Sequence, residues 1–359
     1  MDKTPLTAIV FRTLGAAIVS LLLVYGCIKP KPSPPQTTVA AGILVGNEGT
    51  FQFNNASIGI WDETTNQYLA ECFHHANQIP LGDILQDMWM DGDRLWLVVN
   101  NSQKIEIVDR RDFRRIATIR PIHSPRYVAP ASDTTVWVSQ IWEDSIVVVH
   151  RQRFEVLYKL PFPPGWSEDL LPIDHWMWIA SPSFYTGPAQ HHLYRMRIDP
   201  PHRLDSIAIG ASPTRLLQSD DTTVWVLCSG HSNSSIPPSL YAVHAHAFEV
   251  VREHILPVQT GALGSGMCFD PNSRNLYILY GDVFVLGTSA LSPQIKSWLP
   301  ARGKTYYSIG WLPDKGILLL GDAVDFVQRG VVEMRKPPDT TVLNSFRAGI
   351  IPSLFMPIQ

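Results

Sequence analysis

Aromatic rings and polar side chains recur in the short segments that separate the predicted strands of this chain. The rings belong to Phe51, Phe53, Trp142, Phe184, Tyr185 and Tyr280, and the polar groups belong to Asn47, Asn100 and His231. Ring faces interleaved with amide and imidazole groups suit a large, flat ligand that has polar edges. For any one of these residues an ordinary turn is the better interpretation, so we predict ligand binding from the set as a whole.

Four charged residues of alternating sign begin the first strands of predicted repeats: Asp83, Arg126, Asp169 and Arg215. We predict that they lie near the mouth of a central channel. Such a ring of charges is either a structural ion network or a polar clamp for a ligand. The network is the favoured interpretation, because clusters of perturbed charges serve structure as often as function.

Motifs for catalysis and for metal or cofactor binding are weak in this sequence. Residues 261–266 have the glycines of a dinucleotide fingerprint, but no helix follows them and a turn explains them better. The histidine pairs at 74–75, 191–192 and 244–246 lie in different repeats, without a third ligand at short spacing. No serine or cysteine has a recognisable base nearby. We therefore predict a protein that is not an enzyme and that holds no metal or cofactor.

The elements that position these residues follow from a repeated apolar phrase. Its six copies are Leu95-Trp96-Leu97, Val136-Trp137-Val138, Met177-Trp178-Ile179, Val224-Trp225-Val226, Leu276-Tyr277-Ile278 and Ile317-Leu318-Leu319. The successive spacings between the central residues are 41, 41, 47, 52 and 41 residues. Repeats of roughly 40–45 residues are typical of four-stranded propeller blades. The four tryptophans occupy equivalent positions, so we predict that most of them pack between blades.

The two ends of the repeated region predict an all-β fold, a seven-bladed β-propeller closed by a C-terminal strand. The N-terminal blade has segments for strands two, three and four at 43–46, 57–61 and 68–73, but none for strand one. The segment 351–356 resembles the first strands that begin with Ser124-Pro125 and Ser212-Pro213, so we predict that it completes that blade. Seven blades between Ile43 and Gln359 then have about 45 residues each. No long stretch with the helical 3.6-residue period appears after residue 26, which disfavours a two-domain α/β enzyme.

The beginning of the chain is predicted to be a separate module. Lys3 and Arg12 precede an apolar run, 14–24, that is too short to span a membrane and has the layout of a secretory signal. The next residues, Tyr25-Gly26-Cys27, complete a sequence that resembles a bacterial lipobox. An ordinary signal peptide followed by a chance cysteine is the alternative. The predicted parts are a lipoprotein signal peptide at 1–26, a lipidated Cys27 with a proline-rich tether at 27–42, and the propeller at 43–359.

Charge and cysteine content limit the remaining possibilities. The formal net charge of −3 provides no basic field for binding nucleic acid. Beyond Cys27 the chain has Cys72, Cys228 and Cys268, so at most one internal disulfide is possible. Cys228 and Cys268 lie on neighbouring predicted blades and could meet, although buried free thiols are the favoured state.

Five segments in the first three blades resemble a known family. They are Leu44-Val45-Gly46-Asn47-Glu48-Gly49, Asn55-Ala56-Ser57-Ile58, Pro80-Leu81-Gly82-Asp83, Val99-Asn100-Asn101-Ser102 and Ser124-Pro125-Arg126-Tyr127. They look like the YncE-like seven-bladed propeller lipoproteins of Gram-negative bacteria. Several members of that family sit beside TonB-dependent transporters, where known types capture cobalamin (the BtuG type) or ferric siderophores. The resemblance implies a lipid-anchored protein of the outer membrane, at the cell surface or on the periplasmic face.

Three functional hypotheses follow, in order of preference. The first is a lipoprotein that binds a cobalamin-like or siderophore-like molecule on the propeller loops and passes it to a TonB-dependent transporter. The second is a structural or interaction subunit of a cell-envelope complex. The third is a lyase or lactonase of the propeller type, which would need carboxylates or histidines to converge around a metal in the channel.

Overall fold

The repeated apolar phrases form strands that are buried on both faces, because each lies between two neighbouring blades. The computed structural model describes residues 41–184, 186–258, 260–289 and 293–358. In these residues the chain forms seven antiparallel sheets. Outermost strands have a different pattern: in Glu249–Ile255 almost every side chain is exposed. The sequence prediction of an all-β propeller is confirmed.

The blades follow one another along the chain, and each runs from an innermost to an outermost strand. Blade one consists of β27(Pro352–Ile358), β1(Gly42–Asn47), β2(Ser57–Asp62) and β3(Gln67–Leu69); blade two of β4(Leu85–Asp91), β5(Arg94–Val99), β6(Lys104–Asp109) and β7(Arg115–Ile119); and blade three of β8(Pro125–Pro130), β9(Thr135–His150) and β10(Val156–Trp166). Blade four consists of β11(Leu170–Ile173), β12(Trp176–Ile179), β13(His192–Arg197) and β14(Leu204–Ala208), and blade five of β15(Pro213–Asp220), β16(Thr223–Cys228), β17(Ser239–His244) and β18(Glu249–Ile255). Blade six consists of β19(Ser265–Asp270), β20(Asn275–Tyr280), β21(Asp282–Gly287) and β22(Lys296–Leu299), and blade seven of β23(Tyr306–Leu312), β24(Ile317–Asp322), β25(Arg329–Arg335) and β26(Val342–Ile350).

Blade three has four strands although two of them are continuous. The N–H of Arg151 donates to the carbonyl of Thr134, and the side-chain amide of Gln140 donates to the carbonyl of Ser145. The two halves of β9 therefore lie side by side as a hairpin. Its turn is at Ile141 to Asp144, where the strand reaches the end of the blade.

The ring closes through blade one, as the sequence predicts. β27 pairs with β1 in antiparallel register, with Leu44 opposite Met356 and Val45 opposite Phe355. The innermost strand of this blade therefore comes from the C-terminal end of the described chain, and the other three come from its N-terminal end. β1 is therefore paired on both of its edges, with β27 on one side and β2 on the other.

One predicted strand of blade one is shorter than expected. The segment 68–73 was predicted as a strand, but β3 ends at Leu69 and a short helix, α1(Cys72–Asn77), follows. Glu71 has a left-handed backbone conformation with φ of 53°, which turns the chain away from the sheet. Cys72 and Phe73 are then buried in the core between blades one and two, so an apolar pair that looked like strand belongs to a helix.

Buried apolar side chains form a cluster at every interface between neighbouring blades. Within the described ranges there are seven such clusters, and a pair from each, in ring order from the interface of blades one and two, is Leu44 with Leu97, Trp96 with Val138, Trp137 with Met177, Trp178 with Val226, Trp225 with Ile278, Tyr277 with Leu320, and Leu319 with Val45. In blades two to six the aromatic residue of the second strand thus packs against the following blade, and in blades one and seven a leucine does so. The predicted packing role of the four tryptophans is confirmed.

The cysteines of the propeller are buried free thiols. Cys72, Cys228 and Cys268 form no disulfide, and burial raises the pKa of the Cys72 thiol to about 12. Each of these thiols therefore stays protonated and unreactive at neutral pH. The predicted lipid-attachment residue, Cys27, lies outside the described residues. In the part of the chain that the structure describes, none of the helices has both the length and the apolar character to cross a membrane.

The two ends of the ring differ in what they carry. Second strands end and first strands begin at one end, where Gln140 pairs with Pro125, Cys228 with Pro213 and Tyr280 with Ser265. We call this end the loop face. β1 begins at Gly42, which pairs with Ile358 at the opposite end. The described chain therefore enters the propeller on the face opposite the loop face.

Candidate functional site

The channel opens on the loop face as a cavity of about 300 Å³. Its wall includes Glu48, Gln86, Arg126, Tyr127, Arg215 and Tyr307. Most of them stand near the first residues of innermost strands. Ser265 of blade six also lines the cavity, so six of the seven blades supply polar side chains to one small space.

Bulges in the innermost strands direct several of these side chains into the channel. The register of pairing shifts between Leu85 and Asp87 in β4, between Pro125 and Val128 in β8, and between Tyr306 and Ser308 in β23. The residues that lie between these paired positions are Gln86 in β4, Arg126 and Tyr127 in β8, and Tyr307 in β23. All four line the cavity. A bulge leaves one residue unpaired and re-aims its side chain, and bulges are common beside binding sites.

Glu168 joins the two arginines of the cavity. Arg126 donates from Nε and Nη2 to the two Glu168 oxygens, both at 2.7 Å, and from Nη1 to Gln86 Oε1 at 2.5 Å. Arg215 Nη1 donates to Glu168 Oε1 at 3.3 Å. Trp166 Nε1 donates to Glu168 Oε2 at 2.5 Å. The Glu168 side chain is only 4% exposed, so this carboxylate is held by three donors in a nearly dry environment.

The carboxyl groups around the cavity differ in protonation. Burial raises the pKa of Glu168, but the charge and hydrogen bonds of Arg126 outweigh it and the pKa falls below its ordinary value. Burial raises the pKa of Asp169 to about 7 and that of Asp87 to about 6. Both aspartates accept a backbone N–H from the next blade, from Leu216 and Val128 respectively. These two carboxyl groups therefore clamp neighbouring blades and change charge near neutral pH.

Glu48 is the carboxyl group of the cavity wall that has a tyrosine partner. It follows the last residue of β1, and its side chain forms a hydrogen bond with Tyr307 of blade seven. Burial raises the pKa of Glu48 above its ordinary value. A carboxyl group with a raised pKa holds its proton to a higher pH than a free glutamate does, which suits a group that transfers protons.

An aromatic pair, an exposed Trp142 and a partly buried Phe184, stands on the loop face beside the channel. Trp142, in the hairpin turn of β9, stacks on Phe184 with ring centroids 4.4 Å apart and planes 7° from parallel. Trp142 is 69% exposed and has a left-handed backbone with φ of 72°. A bulky residue in that conformation is uncommon, and such strain clusters at functional sites. Phe184 contacts Trp166 in turn, with a centroid distance of 5.8 Å.

A second cavity of about 400 Å³ lies under this aromatic pair. Trp166, Phe184, His231 and Tyr280 line it, and Leu263 lines both cavities. Since Trp166 also holds Glu168, the second cavity adjoins the arginine cluster of the first. Together they form one site that has aromatic walls on one side and charges on the other.

The sequence-predicted residues reach this site unequally. The structure brings Phe184, His231 and Tyr280 together in the second cavity, with Trp142 stacked above them. His231 is buried, its Nδ1 lies 2.8 Å from Ser234 Oγ, and its Nε2 has no partner among the described residues. Phe51 and Phe53 are 59% and 70% exposed in the loop of blade one and line neither cavity. Tyr185 lies outside the described residues.

Two of the predicted polar residues and the hydroxyl of Tyr280 form hydrogen bonds within the fold. Asn47 donates to Tyr68 Oη at 3.0 Å and accepts the N–H of Gly349 at 2.8 Å. Asn100 donates to the carbonyl of Pro125 at 2.8 Å, which joins blades two and three. The Tyr280 hydroxyl donates to the carbonyl of Ser229 at 2.8 Å.

The predicted ring of four charges is only partly assembled. Arg126 and Arg215 meet at the channel, and Asp169 lies close enough to Arg215 for their charges to interact. Asp83 lies in the loop before β4, where its Oδ2 accepts the N–H of Gln52 at 2.8 Å and a hydrogen bond from the Asn101 side chain at 2.5 Å. The strand begins two residues later than predicted, so Gln86 takes the place in the channel wall that Asp83 was expected to occupy.

The carboxylate that joins the arginines is the main residue that sequence reasoning missed. The sequence pattern points to Asp169 as the acidic residue of the channel mouth, but its neighbour Glu168 faces Arg126 and Arg215. Side chains on an extended chain point alternately to opposite sides, so only one of the two can face the arginines. Trp166, Glu48 and Tyr307 were also missed. The adjacent acidic pair at 168–169 was the available signal, and only the register of the strand decides between its members.

Comparisons with known proteins identify the fold of the chain but no family. Neither a family model nor a curated protein sequence matches it. Among solved structures it is similar to a quinonprotein alcohol dehydrogenase-like protein from Bacteroides thetaiotaomicron, with a TM-score of 0.67, 11% identity, and coverage of 89% of this chain and 78% of that one. It is also similar to a periplasmic gluconolactonase from Pseudomonas aeruginosa, with a TM-score of 0.66, 12% identity, and coverage of 89% and 99%. A putative 6-phosphogluconolactonase from Bacteroides uniformis gives a TM-score of 0.65, 14% identity, and coverage of 89% and 99%.

These neighbours overturn one expectation from the sequence. The absence of a recognisable catalytic motif led to the prediction that the protein is not an enzyme. Proteins named as lactonases share this fold over 99% of their own length. Neither the fold nor the lack of a motif therefore supports that prediction, and it is wrong. At these identities the likeness shows the fold alone. The chain is a seven-bladed β-propeller of the kind found in bacterial gluconolactonase-like and quinoprotein-like proteins.

Proposed function

We propose that the loop face binds a small organic molecule that has a flat ring and polar or charged edges. The observation that carries this proposal is Trp142, a largely exposed ring held in a strained backbone conformation and stacked on Phe184 above a cavity. Exposing a tryptophan to water is costly unless it covers or contacts something. A ligand ring that stacks on Trp142 or slides beside Phe184 would remove this surface from water.

The ligand classes that we propose are cobalamin-like and siderophore-like molecules, which have large faces and many polar groups. We further propose that the protein is anchored in the outer membrane through a lipid on Cys27 and delivers its ligand to a TonB-dependent transporter. The resemblance in the first three blades supports this proposal. The position of the chain entry agrees with it, because Gly42 lies on the face opposite the loop face.

A second candidate is the hydrolysis of a lactone, and Glu48 favours it. Its raised pKa and its hydrogen bond to Tyr307 put a carboxyl group suited to proton transfer in the wall of the cavity. In such a reaction Glu48 would take a proton from water, the hydroxide would attack the lactone carbonyl, and the ring C–O bond would break. The departing oxygen would then receive the proton, giving a hydroxy acid. The gluconolactonase named among the structural neighbours is the reason to test this chemistry.

Calorimetric titration of the purified chain with cyanocobalamin, a ferric catecholate and D-glucono-1,5-lactone tests the proposal. We expect one of these probes to bind, and Trp142→Ala to weaken it by at least tenfold, because a buried aromatic anchor contributes on the order of 2 kcal/mol to binding. The matched control is Tyr158→Ala, since Tyr158 is an exposed ring on the outer strand of the same blade. This control should leave the affinity unchanged.

The outcomes separate the candidates. Release of acid from the lactone, lost in Glu48→Gln, would place hydrolysis first. Binding of cyanocobalamin or the ferric catecholate without turnover would favour capture. If none of the three probes binds at micromolar concentration, the small-molecule proposal fails for these classes and the interaction-subunit hypothesis replaces it.

A further inference from the structure

Arg215 is a cation that the fold does not fully pair. Its Nη1 donates to Glu168 Oε1 and to the carbonyl of Thr214, at 3.3 and 3.0 Å. Its Nε and Nη2 donate to no acceptor among the described residues, and its side chain is 28% exposed in the wall of the first cavity. One edge of this guanidinium is therefore open to the cavity.

The neighbouring charges do not compensate Arg215. Arg126 already uses Nε and Nη2 on Glu168 and Nη1 on Gln86, and each Glu168 oxygen already accepts two hydrogen bonds. One carboxylate is thus shared by two guanidinium groups. Arg126, Arg215 and Glu168 together carry one net positive charge, and a partly desolvated cation of this kind attracts an anion strongly.

The orientation of the open edge also matters. The Arg215 guanidinium lies over the Tyr127 ring at 5.2 Å, which restrains its plane. Nε and Nη2 point their N–H groups in the same direction, and this pair matches the two oxygens of a carboxylate. A lysine would provide charge without that geometry.

We propose that Arg215 forms a carboxylate-binding subsite at the base of the loop-face cavity, so that the ligand of this site is an organic acid. This inference rests on the proposed function and adds the chemical class of the ligand. The ligand would have a ring that contacts Trp142 and Phe184 and a carboxylate that binds Arg215. A carboxylate bound there would complete the hydrogen bonds of Arg215 and balance the excess charge of the cluster.

The pH dependence of binding follows from the groups that face Arg215. They are Glu48, Asp87, Arg126, Tyr127, Glu168, Asp169 and Tyr307. As pH rises from 5.5 to 8, Asp87 and Asp169 lose protons, since burial raises their pKa values to about 6 and about 7. The net charge beside Arg215 then becomes more negative by up to two charges. A carboxylate ligand with a pKa of about 4 stays ionised throughout, so its affinity should fall as pH rises.

The test uses two matched probes on the full chain, D-gluconate and sorbitol, which are six-carbon polyols that differ in one carboxylate. At pH 5.5 we expect gluconate to bind at least tenfold more tightly than sorbitol. The preference should fall at least fivefold at pH 8. Arg215→Gln should abolish it, and Arg215→Lys should retain only part of it. Inorganic phosphate is a third probe, because tighter binding of phosphate than of gluconate would overturn the assignment to carboxylate.

The controls separate this inference from the proposed function. Trp142→Ala removes the exposed ring but not the guanidinium, so it should keep the preference for gluconate. Equal affinity of the wild-type protein for gluconate and sorbitol would overturn the subsite without use of any variant. A preference that survives in a folded Arg215→Gln protein would overturn it as well. If gluconate binds through Arg215 while the larger probes do not bind, the subsite stands and the proposed ligand classes do not.

Discussion

Deletion of residues 351–359 is expected to remove most of the stability of the propeller. β27 supplies the innermost strand of blade one, and Leu354, Met356 and Ile358 pack into the core between blades one and two. Phe355 packs into the core between blades seven and one. All four side chains are partly buried, so each contributes less than the roughly 1.5–3 kcal/mol of a fully buried one. Together with the lost pairing of β27 with β1, their removal takes away a large fraction of the stability of a typical domain, about 5–15 kcal/mol.

Thermal unfolding followed by circular dichroism measures this effect. We expect the truncated protein to melt at least about 10 °C lower or to be insoluble, because the deletion also exposes the edge of β1. Addition of a synthetic peptide of residues 351–359 should restore part of the loss, and a peptide of the same composition in scrambled order is the control. A truncated protein with an unchanged melting temperature would contradict closure of the ring by β27.

Replacement of Glu168 is expected to have the second large effect. Glu168→Ala leaves Arg126 without its carboxylate in a nearly dry environment and removes the acceptor of Arg215. Removal of one partner of a buried ion pair costs about 3–5 kcal/mol, because the remaining charge is uncompensated. Urea unfolding of the variant should show a loss of this size.

Asp93→Ala provides the matched control for that experiment. Asp93 pairs with Arg110 and Arg111 on the surface, where its side chain is 55% exposed, and exposed pairs contribute about 0–1 kcal/mol. The control should therefore unfold at nearly the wild-type urea concentration. If the Glu168→Ala protein is as stable as the Asp93→Ala protein, Arg126 and Arg215 find other partners. Glu168 would then not be the carboxylate that holds these two arginines together.

The architecture was predictable from the sequence because it depends on repeated, many-residue patterns. Each second strand is apolar on both faces, so its burial between blades shows directly in phrases such as Leu95-Trp96-Leu97. Closure by β27 was predictable because the first blade lacked a strand and the last segment resembled one. Cys72 and Phe73 were assigned to a strand because a short buried helix and a short buried strand have similar apolar content.

The site was less predictable because single-residue details decide it. The choice between Glu168 and Asp169 depends on strand register. The positions of Gln86 and Tyr307 depend on bulges, and no turn residue in the sequence marks where these bulges lie. Asn47 and Asn100 looked like ligand contacts in the sequence, but an amide that joins two blades has the same one-dimensional signature. Trp142 could be recognised as a candidate because it lies in a segment between predicted strands, where a propeller carries its loops.

Hydrogen–deuterium exchange with and without the bound probe tests the central claim, that the loop face is the binding surface, most directly. With the probe found by titration, we predict slower exchange in residues 140–145, 182–184 and 229–236, which border the two cavities. Exchange in the outer strand β18 and in the turn at 131–135 on the opposite face should not change. Protection confined to the opposite face or to an outer strand would contradict the account.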